Sequence, residues 1–168
     1  MPLHQILFVL LQAVSSGYAV IRGGAPERMT GIALVLAAFA TRFASQFEGA
    51  YHMVVGGVVL IDIVLLLGLL GLALTSARFW PMAMAGMHGC GLLGHFAKAL
   101  GSDIVPKAYF ALVSFWGFPM CALLLVATWR HRVRLKRYGV DYAWVSRLPR
   151  RYRDGWSVDE LARPLPQR

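Results

Sequence analysis

The sequence predicts an all-α transmembrane helical bundle of five spans with a basic C-terminal tail. Three observations predict it. Met53 to Thr75 is an unbroken apolar run carrying one charge, Asp62, and about twenty such residues at ~1.5 Å rise cross the ~30 Å hydrocarbon layer of a bilayer. Hydrophobic residues make up 58% of the chain, more than a soluble domain of this size carries. The net charge of +9 is segregated: before Arg130 basic and acidic residues nearly balance, and the excess lies in the tail. The chain therefore divides into a bundle over 1–129 and a basic, cytoplasmic or interfacial tail over 130–168.

Leu3 to Ile21 is the first span. Its small residues at Gly17-Tyr18-Ala19 resemble a signal-peptide cleavage site, but Met1 to Gln5 lacks the basic n-region of such peptides, and the segment reads as a retained helix. Arg22-Gly-Gly-Ala-Pro-Glu-Arg28 is a turn by composition, with Pro26 placed to open the next helix. Met29 to Phe47 is the weakest span because Arg42 follows its apolar part; an Arg that close to a helix end can snorkel outward. Without that crossing, four spans remain.

The third span holds the Asp. One central Asp costs about 2.5 to 3.5 kcal/mol on the insertion scale, and each Leu, Ile or Val returns about 0.3 to 0.6, so the run inserts despite Asp62. After a short turn at Ser76 to Arg78, Phe79 to Leu100 opens with Pro81 in its first turn, where the missing N–H does no harm. Tyr109 to Trp129 is the fifth span, with a kink expected at Pro119. Lys and Arg near helix ends are retained in the cytoplasm, and five spans with the N-terminus outside place Arg22, Arg28, Arg78 and the Arg130 to Arg137 cluster inside. Trp80 and Trp129 then fall at the inner interface, and Tyr51 and Tyr109 at the outer one.

Arg22-Gly-Gly-Ala-Pro-Glu-Arg28, Ser76-Ala-Arg-Phe-Trp-Pro81 and Ala127-Thr-Trp-Arg-His-Arg132, in this order between apolar spans, resemble a family of small, uncharacterised bacterial polytopic inner-membrane proteins with no assigned activity. The likeness covers Leu3 to Trp144. It implies a location in the bacterial inner (cytoplasmic) membrane and a topology; it implies no functional residue, because these motifs lie at loops and helix ends.

Chemistry is sought among polar groups inside the spans. Asp62 and His88 each lie about 13 to 17 Å from a membrane edge at ~1.5 Å per residue, and His95, seven residues beyond His88, shares its face. The neighbours of Asp62 on its own helix are apolar, so its partner comes from another helix or from water. The blandest reading is one interhelical contact, Asp62 with His88 or with Arg42, worth about 0.6 to 2 kcal/mol in a membrane. A second is a proton or ion path through Asp62, His88, His95 and Lys98. A third is haem b held between His52 and His95, since haem iron takes axial imidazoles from different helices. His4 and His131 lie near span ends, where exposure is the plain expectation.

Gly86, Cys90 and Gly94 recur at spacing four and invite close helix packing, within the bundle in preference to a homo-oligomer. Neither cysteine belongs to a Cys-x-x-Cys pair, so no disulfide or metal cluster is expected. In the tail, Arg130, Arg132, Arg134, Lys136 and Arg137 prolong the last helix to Gly139 and attract anionic lipid by about 1 kcal/mol per charge. Nucleic acid is the less economical partner, because lipid phosphates already adjoin the cluster. Ser157-Val-Asp-Glu160 matches a capping box. No phosphate-binding loop, zinc-protease or nucleophile-elbow pattern occurs. The leading expectation is a non-enzymatic accessory subunit or scaffold of a membrane complex; the alternative is a proton- or ion-conducting, or haem-carrying, module built on Asp62, His88 and His95.

Overall fold

The computed structural model describes residues 3–44, 53–99 and 115–147. Five α-helices account for nearly all of them: α1 (Leu3–Arg22), α2 (Ala25–Ala44), α3 (Met53–Thr75), α4 (Trp80–Ala99) and α5 (Gly117–Tyr138), followed by one 3-10 turn at Val145–Arg147. Among the described residues there is no β-strand, only an isolated bridge between Ser76 and Trp144. By length and composition two stretches among the described residues are apolar enough to cross a membrane: Leu3–Arg22, and Gly56–Thr75 within α3.

Local chemistry sets the helix ends. Gly23 donates its N–H to the Ala19 carbonyl at 2.9 Å, closing the last turn of α1, and a Cβ at Gly23 would run into the Ala19 oxygen and the Glu27 Cβ. Pro26 then sits in the first turn of α2, where a helix has no use for its N–H. Pro81 does the same in α4. At the far end of α5, Gly139 takes the left-handed conformation (φ 71°) and donates its N–H to the Leu135 carbonyl at 3.0 Å, the usual device for turning a chain out of a helix.

The helices form a closed ring in which each packs on its neighbours in chain order, α5 returns to α1, and α2 also touches α5 across the middle. Every helix sends a residue to the core: Ala19, Leu34, Leu69, Met84 and Leu124. Where α1 meets α2 the backbones approach closely, since a Cβ at Gly31 would stand 3.1 Å from the Ser16 carbonyl oxygen. Much of the interior is polar. Ser15, Ser16, Thr30 and Thr128 are buried; Thr30 and Thr128 donate to their own helices' Pro26 and Leu124 carbonyls. Gln12 donates from α1 to the Leu34 carbonyl of α2 at 3.0 Å.

The start of the tail is part of this body. After Gly139 the chain doubles back, and the Ala143 carbonyl accepts from the Ala77 N–H at 3.1 Å and the Ser76 hydroxyl at 3.3 Å. The α3–α4 turn is thereby held against residues that follow α5. The capping box at Ser157 and residues 109–114, the start of the span expected from Tyr109 to Trp129, lie outside the described residues.

Candidate functional site

Two groups of ionisable side chains are enclosed by the ring. The first joins α3 and α4 through residues that the sequence singles out. Asp62 Oδ2 stands 3.1 Å from His95 Nε2, and His88 Nε2 lies 3.0 Å from the Asp62 main-chain oxygen and 4.0 Å from its Oδ1. A carbonyl only accepts, so the His88 contact requires the proton on Nε2. All three side chains are largely enclosed, with exposures of 20%, 14% and 6% for Asp62, His88 and His95.

The pairing differs from the one that depth alone favours. Depths counted inward from opposite membrane edges match Asp62 with His88. Counted from the turn the two helices share, Asp62 is thirteen residues before Thr75 and His95 fifteen after Trp80, levels of about 20 and 22 Å at ~1.5 Å per residue. The carboxylate therefore meets His95, and His88 reaches the backbone. Arg42 is placed elsewhere, exposed near the end of α2 on the wall of a shallow groove with Gln12 and Phe39. His52 lies outside the described residues, as does the side chain of Lys98. His95, the other imidazole of the haem reading, is directed at Asp62. Among the described residues no group of three or more His, Cys, Asp or Glu side chains is arranged to hold a metal ion.

The small-residue stripe of α4 is divided: Gly94 is buried in the ring, as expected, and the other two members are not. Gly86 and Cys90 are exposed, and a Cβ at Gly86 or Gly89 would meet nothing within 4 Å. The same holds for Gly56, Gly68 and Gly71 on α3, so these glycines are not the surface on which α3 and α4 meet.

The second group was not anticipated. Arg78, in the α3–α4 turn, is ion-paired through Nη1 with Glu27 Oε1 in the first turn of α2, and its Nη2 donates to Asp141 Oδ2 at 2.8 Å. His131 of α5 places Nδ1 2.6 Å from the same Asp141 oxygen and 3.1 Å from Arg78 Nη2. Arg134, one turn further along α5, bonds Asp141 through Nε (3.0 Å) and Nη2 (3.3 Å). Glu27 is fully buried, and Arg78 and His131 are buried at 8% and 9% exposure. His131 is thus an interior residue rather than the exposed span-end histidine the sequence led us to expect. Arg134 likewise belongs to this network, whereas Arg130, Lys136 and Arg137 are exposed and Arg132 is half-buried.

Electrostatics explains why the set holds together. Two guanidinium groups face two carboxylates, so the cluster is near neutral with His131 between them. Burial pushes the Asp141 carboxyl up, but hydrogen bonds from His131 and Arg134 and the charges of Arg78 and Arg134 outweigh it and hold Asp141 below the ordinary carboxylate range. A Cβ on Gly24 would stand 3.0 Å from His131 Cε1 and 3.1 Å from Glu27 Oε2, so the bare backbone there leaves room for the cluster.

A signal for this group does exist in the sequence. Each of the three loop motifs contributes one member: Glu27 from Arg22 to Arg28, Arg78 from Ser76 to Pro81, and His131 from Ala127 to Arg132. Motifs that speak only of topology when read one by one meet at a single point in space.

Fold and site together define an all-helical bundle with an apolar exterior and two internal polar clusters. Comparison with protein-family models, with curated proteins and with solved structures finds no match.

Proposed function

We propose that this chain is an integral membrane protein of the bacterial inner membrane, with five crossings, the N-terminus outside and the C-terminus in the cytoplasm, acting as a non-enzymatic accessory subunit or scaffold of a membrane complex. The observation that carries the membrane placement is an inverted distribution of polarity: Leu74 is 82% exposed and Phe39 71%, while Glu27 is 0% exposed. Water as solvent would oppose both. Lipid favours both, because it wets Leu and Phe and drives ionisable groups into the bundle. The less apolar helices α2, α4 and α5 complete the ring with Glu27, Thr30, His95, Thr128 and His131 turned inward.

The ion-paired end of the bundle supports the scaffold reading. Its charges are tied to one another and hold three helix ends and the start of the tail, which is an arrangement for fixing shape. The test is extraction of the tagged protein from native membranes in mild detergent. A fixed set of subunits in constant ratio is the expected result, and a chain that always emerges alone contradicts an accessory role.

A second reading rests on the 3.1 Å approach of Asp62 to His95. A carboxylate against an imidazole, with a second imidazole on its main-chain oxygen, can hold a proton in either of two places, as intramembrane carriers require. Liposomes holding the protein and a pH dye decide it: proton flux abolished by Asp62→Asn with the fold intact favours transport, and no flux in either protein removes it. The haem version has its own test: a Soret band in the purified protein favours it, and a spectrum without one removes it.

A further inference from the structure

A cavity of about 560 Å³ opens beside the ion-paired cluster, between the start of α4, the middle of α5 and the returning chain. Its walls differ in chemistry. Ala83, Leu123 and Val126 make one side apolar, and Arg78, Arg130 and Arg134 make the other basic. Asp141 is the one acid among the lining residues, and its two oxygens already take contacts from Arg78, His131 and Arg134.

The unfilled hydrogen-bond positions beside the cavity are donors. Arg78 Nε and Trp80 Nε1 are sealed from solvent and have no acceptor among the described residues, and both residues contribute other atoms to the cavity wall. The side chain of Arg78 is 5% exposed. Arg134 uses Nε and Nη2 on Asp141, which leaves Nη1 without an acceptor among the described residues. Arg130 is exposed and has no ion pair among them. A buried donor without an acceptor costs about 1 to 3 kcal/mol, and a guanidinium is matched best by a planar or tetrahedral oxyanion. A lining of this kind is complementary to an anion with several acceptor oxygens.

We propose that this cavity binds one anionic phospholipid, with its phosphate between Arg130 and the Nη1 side of Arg134, and its glycerol and upper acyl carbons against Ala83, Leu123 and Val126. The inference rests on the membrane placement argued above. The apolar wall is what selects a lipid over free phosphate, and it continues into Phe79, 79% exposed, and Val126, 50% exposed, on the outer surface of the bundle. The volume suits a headgroup and the first part of its chains. Diffuse attraction of a basic tail to a charged membrane differs from this, because it needs no cavity and treats all the cations of the tail alike.

The experiment uses the full chain, stripped of lipid in a neutral detergent and followed by native mass spectrometry and thermal unfolding. Phosphatidylglycerol is expected to be retained at one molecule per chain and to raise the midpoint; phosphatidylcholine and inorganic phosphate at the same concentration are not. Arg130→Gln, which breaks no ion pair, is expected to weaken phosphatidylglycerol binding at least about fivefold without moving the lipid-free midpoint. Lys136→Gln, on the exposed end of α5 away from the cavity, is expected to change it less than about twofold. Equal losses from Arg130→Gln and Lys136→Gln would overturn the proposal in favour of diffuse attraction. Equal binding of phosphatidylcholine would overturn it as an anion site, and equal stabilisation by inorganic phosphate would overturn it as a lipid site. If the chain stays monodisperse in water without detergent, it is the membrane placement that fails.

Discussion

Arg78 and Glu27 form an ion pair across fifty-one residues of chain, with side chains 5% and 0% exposed. One lies in the turn between α3 and α4 and the other in the first turn of α2, so the contact fixes the start of α2 against the α3–α4 turn. Removing Arg78 strands the buried Glu27 carboxylate, and removing Glu27 leaves buried Arg78 to share Asp141 with His131 and Arg134. Arg78→Gln or Glu27→Gln is expected to destabilise the protein by about 3 to 5 kcal/mol, whereas Arg78→Met with Glu27→Leu loses much less, because no unpaired charge is left. Unfolding in mixed micelles with increasing SDS measures the difference, and a double variant as damaged as the singles would contradict the pairing.

Asp141 gives the cluster a pH dependence with a definite sign. Its carboxyl is held below the ordinary range by His131, Arg134 and Arg78 against the opposing effect of burial, so its folded-state pKa lies under its unfolded value of about 3.9. The stabilisation is then complete above that unfolded value and is lost as the pH falls through the lowered folded one. Asp141→Asn is expected to unfold more readily than the natural protein at neutral pH, with a gap that holds down to about pH 5 and narrows only below about pH 4. A gap that closes between pH 6 and 8 would point to a different titrating group.

Two glycines are expected to respond oppositely to the same substitution. A Cβ at Gly23 collides with the Ala19 carbonyl oxygen and comes within 2.6 Å of Glu27 Cβ, and neither is the end of a flexible side chain. Gly23→Ala is therefore expected to cost about 1 to 3 kcal/mol, as overpacking does. At Gly68 in α3 nothing lies within 4 Å, and Ala there is expected to gain up to about 1 kcal/mol from helix propensity. Paired thermal melts check both signs.

The parts of this structure legible in the sequence are those that local chemistry decides. Pro26 and Pro81 mark helix starts, Gly139 marks an end, and the apolar run around Asp62 marks α3. Reading Asp62 and the histidines of α4 as a possible set was within reach because a lone acid in an apolar helix needs an outside partner, although depth counting matched it with His88 before His95. The second cluster was hidden for a physical reason. Arg78, His131 and Arg134 near helix ends look like topology signals and snorkelling cations, and their partners stand fifty-one and sixty-three residues from Arg78, ten from His131 and seven from Arg134. Helical periodicity reports neighbours three or four residues apart and is blind to such separations. Nor does it tell which stripe of α4 faces inward, so Gly86 and Cys90 were assigned to the wrong side.

The central claim is that the apolar outer faces of all the helices, including those less apolar than α3, lie against lipid. Spin labels on Leu36→Cys, Leu67→Cys and Leu93→Cys, in a chain whose natural cysteines are replaced by alanine, test it most directly, since these leucines are 63%, 62% and 65% exposed on α2, α3 and α4. In reconstituted bilayers the account predicts relaxation by oxygen, which concentrates in the hydrocarbon layer, and little by a water-soluble nickel chelate at all three positions. Chelate access exceeding oxygen access at Leu36 or Leu93 would contradict it.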